Sequence, residues 1–214
     1  MTTCISATHK FSHPLPTDLA SDDVRLSEHV LHFLLERYSS VGETIFDPFA
    51  GFGTTLIASE QLSRVGYGVE RDKDRWAYAQ QFLAAPERCI LGDVRAFDFS
   101  ALPGFSLSIS SPVFMHEADD LDPLSGFVEA GSYREYISSL IEIYALVKAH
   151  TAPNGHVIVE AANLKREDRT TMFAWDLAQA LKSKFHFEGE LVLDWGERGY
   201  GYGYTHSYCL VFRA

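Results

Sequence analysis

The stretch TIFDPFAGFGTTLIASEQLSR, residues 44–64, limits what this chain can fold into more than any other. A short β-rich run ends in an acid, Asp47, and a proline. Two glycines, Gly51 and Gly53, follow, and two threonines then open a helical pattern. Glycines at a strand-to-helix turn let a ligand approach the backbone with no Cβ in the way, and the amides opening the helix at Thr54 offer donors.

The alternation continues along the chain. VGYGVERD reads as a strand, residues 73–84 as a helix, and CILGDV and FSLSISSPVF as strands. YREYISSLIEIYALVKAH is a helix, NGHVIVEAANL a turn and buried strand, and residues 171–184 a further helix. Upstream, residues 24–38 place Leu26, Val30, Phe33, Leu34 and Arg37 on one helical stripe. Two strands, in GELVLDWG and SYCLVFR, close the chain around a glycine-tyrosine loop. Repeated strand–helix steps imply a mostly parallel sheet covered by helices on both faces, and a final strand reached without a helix is antiparallel. The expected fold is a single-domain, doubly wound α/β sheet over residues 1–214, with residues 1–10 flexible.

Lysine and arginine number 18 against 29 acids, a net charge of −11, whereas a chain gripping phosphates is usually basic at least locally. No apolar run reaches the ~20 residues of a membrane span, and the N-terminus lacks the basic-then-apolar order of a signal peptide. The expected location is the cytoplasm, with no membrane partner. Three cysteines, at 4, 89 and 209, have no CxxC spacing. Cys89 and Cys209 sit in apolar strand-like runs, which reads as core thiols rather than zinc or disulfide chemistry.

In doubly wound sheets ligands bind beyond the carboxyl ends of the strands, where Asp47 to Thr55, Glu70, Asp93 and Ser111 to Phe114 fall. An acid at the strand end after the glycines, Glu70, suits the two hydroxyls of a ribose. No lysine follows the glycines, which excludes a P-loop, and Gly51-Phe52-Gly53 is followed by Thr54, Thr55 and Leu56, which does not complete a dinucleotide fingerprint. S-adenosylmethionine, with a ribose and no phosphate, remains; the bland alternative is a tight turn and nothing more.

Here the sequence resembles the S-adenosylmethionine-dependent amino-methyltransferases that modify adenine N6 or cytosine N4 in DNA. DPFAGFGTT resembles their cofactor motif, and FSHPLP, GVERD, GDV and the closing THSYCLVFR are similar to further family segments in the same order. The resemblance implies a Rossmann-like class I methyltransferase sheet of about seven strands. It places Asp47, Phe49, Gly51 and Gly53 at the methionine end of the cofactor and Glu70 and Asp93 on its ribose and adenine. It also makes Ser111-Pro112-Val113-Phe114 the catalytic motif, with Val113 where the family has a second proline. Ser111 and the Pro112 carbonyl would accept the N–H groups of the target amine, and Phe114 would stack on a planar acceptor.

An acidic loop follows, residues 115–132, beginning with His116, Glu117, Asp119, Asp120 and Asp122. Its spacing matches no metal site, and it reads as a solvated lid over the acceptor pocket. GERGYGYGYTH, with Tyr200, Tyr202 and Tyr204, could stack the acceptor or serve as a mobile connection. His116, Tyr202 and Tyr204 are the candidate substrate contacts. Asn163, Lys165 and Arg166 form one basic polar cluster near the expected mouth. The acceptor is a base in DNA on the resemblance, or an amine on a small molecule or peptide on the charge; a non-catalytic cofactor-binding subunit is the third reading, with Val113 its one hint.

Overall fold

A computed structural model describes residues 2–17, 19 and 25–214. In chain order the elements are β1 (Cys4–Ser6), α1 (Glu28–Tyr38), β2 (Thr44–Asp47), α2 (Thr54–Gln61), β3 (Val65–Glu70), α3 (Lys73–Ala79), β4 (Cys89–Leu91) and β5 (Phe105–Ser110). They continue with α4 (Tyr133–His150), β6 (Thr151–Ala161), β7 (Leu164–Arg166), β8 (Arg169–Thr171), α5 (Phe173–Leu181), β9 (His186–Asp194) and β10 (His206–Arg213). The backbone divides into two compact units, Ala7–Ser110 and Ser111–Ala214 with Met1–Ser6.

In the unit Ala7–Ser110 the strands lie in the order β5, β2, β3, β4, all parallel. Parallel strands need both faces covered: β2 buries Ile45, Phe46 and Asp47 in succession, and β5, although it alternates apolar residues with serines, buries Leu107 to Ser110 on both faces. Phe46 is fully buried on β2 and meets Phe105 at 5.0 Å, Phe99 at 5.5 Å and Phe97 at 6.5 Å between ring centroids. Helix α2 packs on β2 and β3, with α1 against α2. The helix read over 24–38 is Glu28–Tyr38, burying Val30, Leu31, Leu34 and Leu35, while Val24, where that reading began, lies outside the described residues. Asp72 caps α3, its carboxylate accepting from the amides of Asp74 and Arg75 at 2.9 Å each.

In the other unit the order is β1, β9, β10, β6. The closing strand β10 is antiparallel to both β9 and β6, as its helix-free connection requires. Helix α4 starts at a capping box, Ser132 with Glu135, and buries Tyr136, Leu140, Ile143, Tyr144 and Val147 at helical spacing. The structure adds two elements to the sequence reading. Cys4–Ser6 pairs in parallel with Val192 to Asp194. The run read as strand through Leu164 ends at Ala161, and Leu164 to Thr171 forms a hairpin, with Arg166 opposite Arg169 and Glu167 turning at φ 53°. A charged turn of Glu and Asp between such short strands has little apolar pattern to betray it. Cys89 and Cys209 are buried free thiols, and burial pushes Cys89 up to about 12; Cys4 is exposed.

Phe46 anchors its ring cluster with no solvent contact. Phe46→Ala should destabilise the protein by ~3–5 kcal/mol, and Phe46→Leu by ~1–1.5 kcal/mol, in urea unfolding with the slope unchanged. A Phe46→Leu variant as stable as the parent would mean that the ring contacts add nothing beyond bulk.

Candidate functional site

The glycine turn is built by backbone bonds and two carboxylates. Ala50 N–H donates to Val69 O at 2.9 Å and Gly53 N–H to Ala50 O at 2.8 Å, which folds the turn over the end of β3. Gly53 has φ 77° and caps α2 without a side chain; a Cβ there would lie 2.8 Å from that of Ala79, so glycine is required by conformation and by space. Gly51 has φ 54°, but a Cβ there would meet only the Phe49 carbonyl, at 3.9 Å. The backbone at Gly51 therefore faces open space, the room a ligand lying against the turn needs.

Glu70, at the end of β3, ties the turn down. One carboxylate oxygen accepts Gly51 N–H and the other Asp72 N–H, each at 2.6 Å. Each oxygen keeps a lone pair, so the group can still receive two hydroxyls. Burial raises its pKa, against the pull of those two amides. Asp47, at the end of β2, is 3% exposed; it accepts Phe49 N–H at 2.9 Å and bonds the Thr55 side chain. Burial raises it to about 7. Thr54 opens α2 and is buried, and Phe49 is half-buried in the turn. Asp93, two residues beyond β4, is gripped by Arg95 at 2.6 Å and lies 4.0 Å from Arg71. Burial pulls its carboxyl up, but the Arg95 bonds and the two cations hold it below the usual carboxylate range. Asp47, Phe49, Gly51, Gly53, Thr54, Glu70 and Asp93 thus share one unit, at the ends of adjacent strands.

A second cluster forms in the other unit. Ser111 donates to Glu160 Oε2 at 2.6 Å, and Tyr200 donates to the same oxygen at 2.9 Å. Glu160 lies on β6, is 1% exposed, and its Oε1 has no hydrogen-bond partner among the described residues. Burial raises its pKa, opposed by the hydroxyls of Ser111, Ser207 and Tyr200. No local pattern in HVIVEAA flags this acid except its presence inside an apolar strand, and that was the available signal. Pro112 is buried, and the Val113 carbonyl accepts the hydroxyl of Tyr136, itself buried on α4. The turn that a second proline would stiffen is held here by a tertiary bond.

Phe114, His116, Asp119, Leu164, Lys165, Arg166 and Tyr202 line a pocket of about 270 Å³, open mouth included. The Phe114 ring lies 5.5 Å from that of Tyr202 and 5.1 Å from that of Phe173. Tyr204 instead packs edge-on against His206 at 5.3 Å and is not one of the walls. Two of the acids that open the loop are engaged structurally. Asp119 pairs with Arg166 at 2.7 Å and accepts the His116 amide at 2.8 Å, and Asp122 caps a 3-10 turn. Among the described residues no three His, Cys, Asp or Glu side chains converge as metal ligands. Of the basic cluster, Lys165 and Arg166 reach the pocket, while buried Asn163 accepts the Ala174 amide at 3.1 Å.

Residues 11–81 match the DNA methylase family. The methylase match covers about a third of the chain and contains the glycine turn and Glu70, but ends before Asp93 and Ser111. No curated protein matches the sequence. Solved structures share the fold. TrmN from Thermus thermophilus superposes with TM-score 0.58 at 18% identity over 88% of this chain, which spans about half (49%) of the TrmN chain. A TehB-like SAM-dependent methyltransferase from Corynebacterium glutamicum gives 0.57 at 16% identity, covering 91% of each chain. The 1,6-didemethyltoxoflavin-N1-methyltransferase of Burkholderia thailandensis, solved with its substrate and S-adenosylhomocysteine, gives 0.58 at 15% identity over 92% of this chain and 80% of that one. The fold is the class I, Rossmann-like methyltransferase fold that the methylase resemblance implies.

Asp47 yields a pH prediction. Its folded pKa of about 7 lies above the 3.8 usual for an aspartate, so its share of stability is present below the lower value and is lost as pH rises through the higher. Asp47→Asn keeps an acceptor for the Phe49 amide. In urea melts its stability relative to the parent should rise between pH ~4 and ~8, by at most on the order of 4 kcal/mol. A difference independent of pH would show that Asp47 is charged throughout.

Proposed function

We propose that this chain is an S-adenosylmethionine-dependent methyltransferase whose acceptor atom is an amino nitrogen. The observation that carries the reading is the Ser111–Glu160 hydrogen bond. Because the Ser111 proton is committed to Glu160, the oxygen offers only lone pairs to a ligand, and lone pairs are what an N–H donor needs. The Pro112 carbonyl is the second acceptor. An aromatic NH2 is a poor nucleophile while its lone pair is delocalised into the ring; two acceptors holding its two protons turn that lone pair out of the ring plane. Phe114 stacks on the ring, and Tyr136, through Val113, keeps the turn from drifting. A methylated amine is acidic enough to pass its proton to water, so no separate base is required.

S-adenosylmethionine, when bound, supplies a methyl group activated by a sulfonium. The open face at Gly51 and the free lone pairs on Glu70 fit it. In this reading Gly51, Gly53 and the amides at Thr54 lie under the cofactor, Asp47 and Phe49 flank its methionine end, Glu70 takes the ribose hydroxyls, and Asp93 lies toward the adenine. The chain works as one methyltransferase domain over residues 1–214. Among the described residues no helix is long and apolar enough to cross a membrane, and the proposed location is the cytoplasm.

A nucleobase in DNA is the first acceptor, supported by the methylase match and by Lys165 and Arg166, two members of the basic cluster expected near the mouth, on the pocket wall. An amine on a small molecule is the second, favoured by the charge of −11 and by the fold shared with a toxoflavin N-methyltransferase. The experiment is transfer of labelled methyl from S-adenosylmethionine to unmethylated DNA at low salt, with cofactor binding measured on the same preparation. Ser111→Ala should lower turnover by ~10²–10³-fold with cofactor affinity nearly unchanged. Glu70→Ala should weaken cofactor binding by ~1–3 kcal/mol. Tight cofactor binding with no label in DNA moves the acceptor to small amines, and no transfer to any amine makes the chain a non-catalytic cofactor-binding subunit.

A further inference from the structure

We propose that His116 selects the acceptor: its Nε2–H donates a hydrogen bond to a ring nitrogen or ring carbonyl of a planar heteroaromatic amine held in the pocket of Phe114, Leu164 and Tyr202. This rests on the reading that the pocket takes the acceptor. The tautomer follows from the backbone. Ala118 N–H donates to His116 Nδ1 at 3.0 Å, and a backbone amide can only donate, so Nδ1 presents a lone pair and the ring proton sits on Nε2. His116 is 3% exposed, and Nε2 is buried with no hydrogen-bond partner among the described residues. A buried donor left unpaired is uncommon in native proteins and asks for an explanation.

The surroundings fix this donor rather than satisfy it. Asp119 accepts the His116 amide at 2.8 Å and is itself held by Arg166 at 2.7 Å, so main chain and ring are both anchored. The pocket that His116 lines offers a flat ring the faces of Phe114 and Tyr202 and the side chain of Leu164, beside Asp119, Lys165 and Arg166. Tyr202 is 41% exposed at φ 52°, between Gly201 and Gly203, both also at positive φ, and the Lys165 amide donates to its carbonyl at 2.8 Å, which holds this wall beside the pocket.

The chemical class follows from matching donor to acceptor. A ring with an unprotonated nitrogen beside its amino-bearing carbon, as in cytosine or adenine, satisfies Nε2–H. An aniline, with carbon on both sides, leaves it unpaired. A site that buries an unmade hydrogen bond rejects the analogue lacking the partner far more strongly than shape alone does.

The test uses the full chain with ¹⁵N-labelled histidine, the His116 signals assigned from His116→Asn, titrated with cytidine, adenosine and aniline. At least one nucleoside should shift the His116 Nε2 resonance, and aniline should not. Asn places an oxygen where Nδ1 sits, keeping the Ala118 bond and losing the donor; Gln places an amide N–H where Nε2 sits. His116→Asn should weaken nucleoside binding by about tenfold or more, with His116→Gln much closer to the parent. An unmoved Nε2 signal with both nucleosides, or parent-like nucleoside binding by His116→Asn, overturns the proposal. Binding through His116 with no methyl transfer to nucleoside, DNA or any other amine overturns the methyltransferase reading and leaves His116 standing. Labelling of cytosine and 3-deazacytosine oligonucleotides at equal rates by both the parent and His116→Asn does the reverse.

Discussion

The Glu70 carboxylate holds two loops at once. By accepting the amides of Gly51 and Asp72 it joins the turn after β2 to the turn after β3, and the β2–β3 pairing delivers it there. Without that acceptor, the Gly51 amide would lose its partner at a turn whose glycines have the widest conformational freedom of any residue, and the Asp72 amide would lose its own. The same group keeps lone pairs for a ligand, so one side chain shapes the cradle and forms part of it. Its raised pKa is the cost of holding a carboxylate in a nearly dry place.

A second buried acid plays a parallel part in the other unit. Glu160 orients Ser111 and Tyr200 through one oxygen and leaves the other unpaired among the described residues. Buried polar groups with incomplete partners cluster where ligands complete them. Oε1 of Glu160 and Nε2 of His116 are both of this kind, in the unit that also carries the aromatic pocket. Within the acidic loop, read as a solvated lid, Asp119 pairs with Arg166 and Asp122 caps its turn, while Glu117 and Asp120 are exposed.

Much of the fold was legible because its signals are local. The strand-turn-helix of β2 and α2, the spacing of Tyr136, Leu140, Ile143, Tyr144 and Val147 on α4, and the closing strand β10 each follow from patterns within a few residues. The β7–β8 hairpin and β1 were not legible, because strands this short bury few apolar side chains and draw their pairing from elsewhere. The glycine turn and Glu70 could be named from spacing. Glu160 could not be named: an acid in the apolar run VIVEAA is a sign of function only once its partner, 49 residues away, is known.

The sequence by itself determined the order of strands and helices, the glycine turn and the residue types at the strand ends, since turn chemistry and side-chain period act over a handful of residues. Tertiary structure alone decided which hydroxyl the buried carboxylate would claim, that Val113 would be fixed by Tyr136, and that Lys165, Arg166 and His116 would share a wall while Tyr204 would not. Those outcomes depend on which distant groups lose water together, and desolvation belongs to the packed chain as a whole.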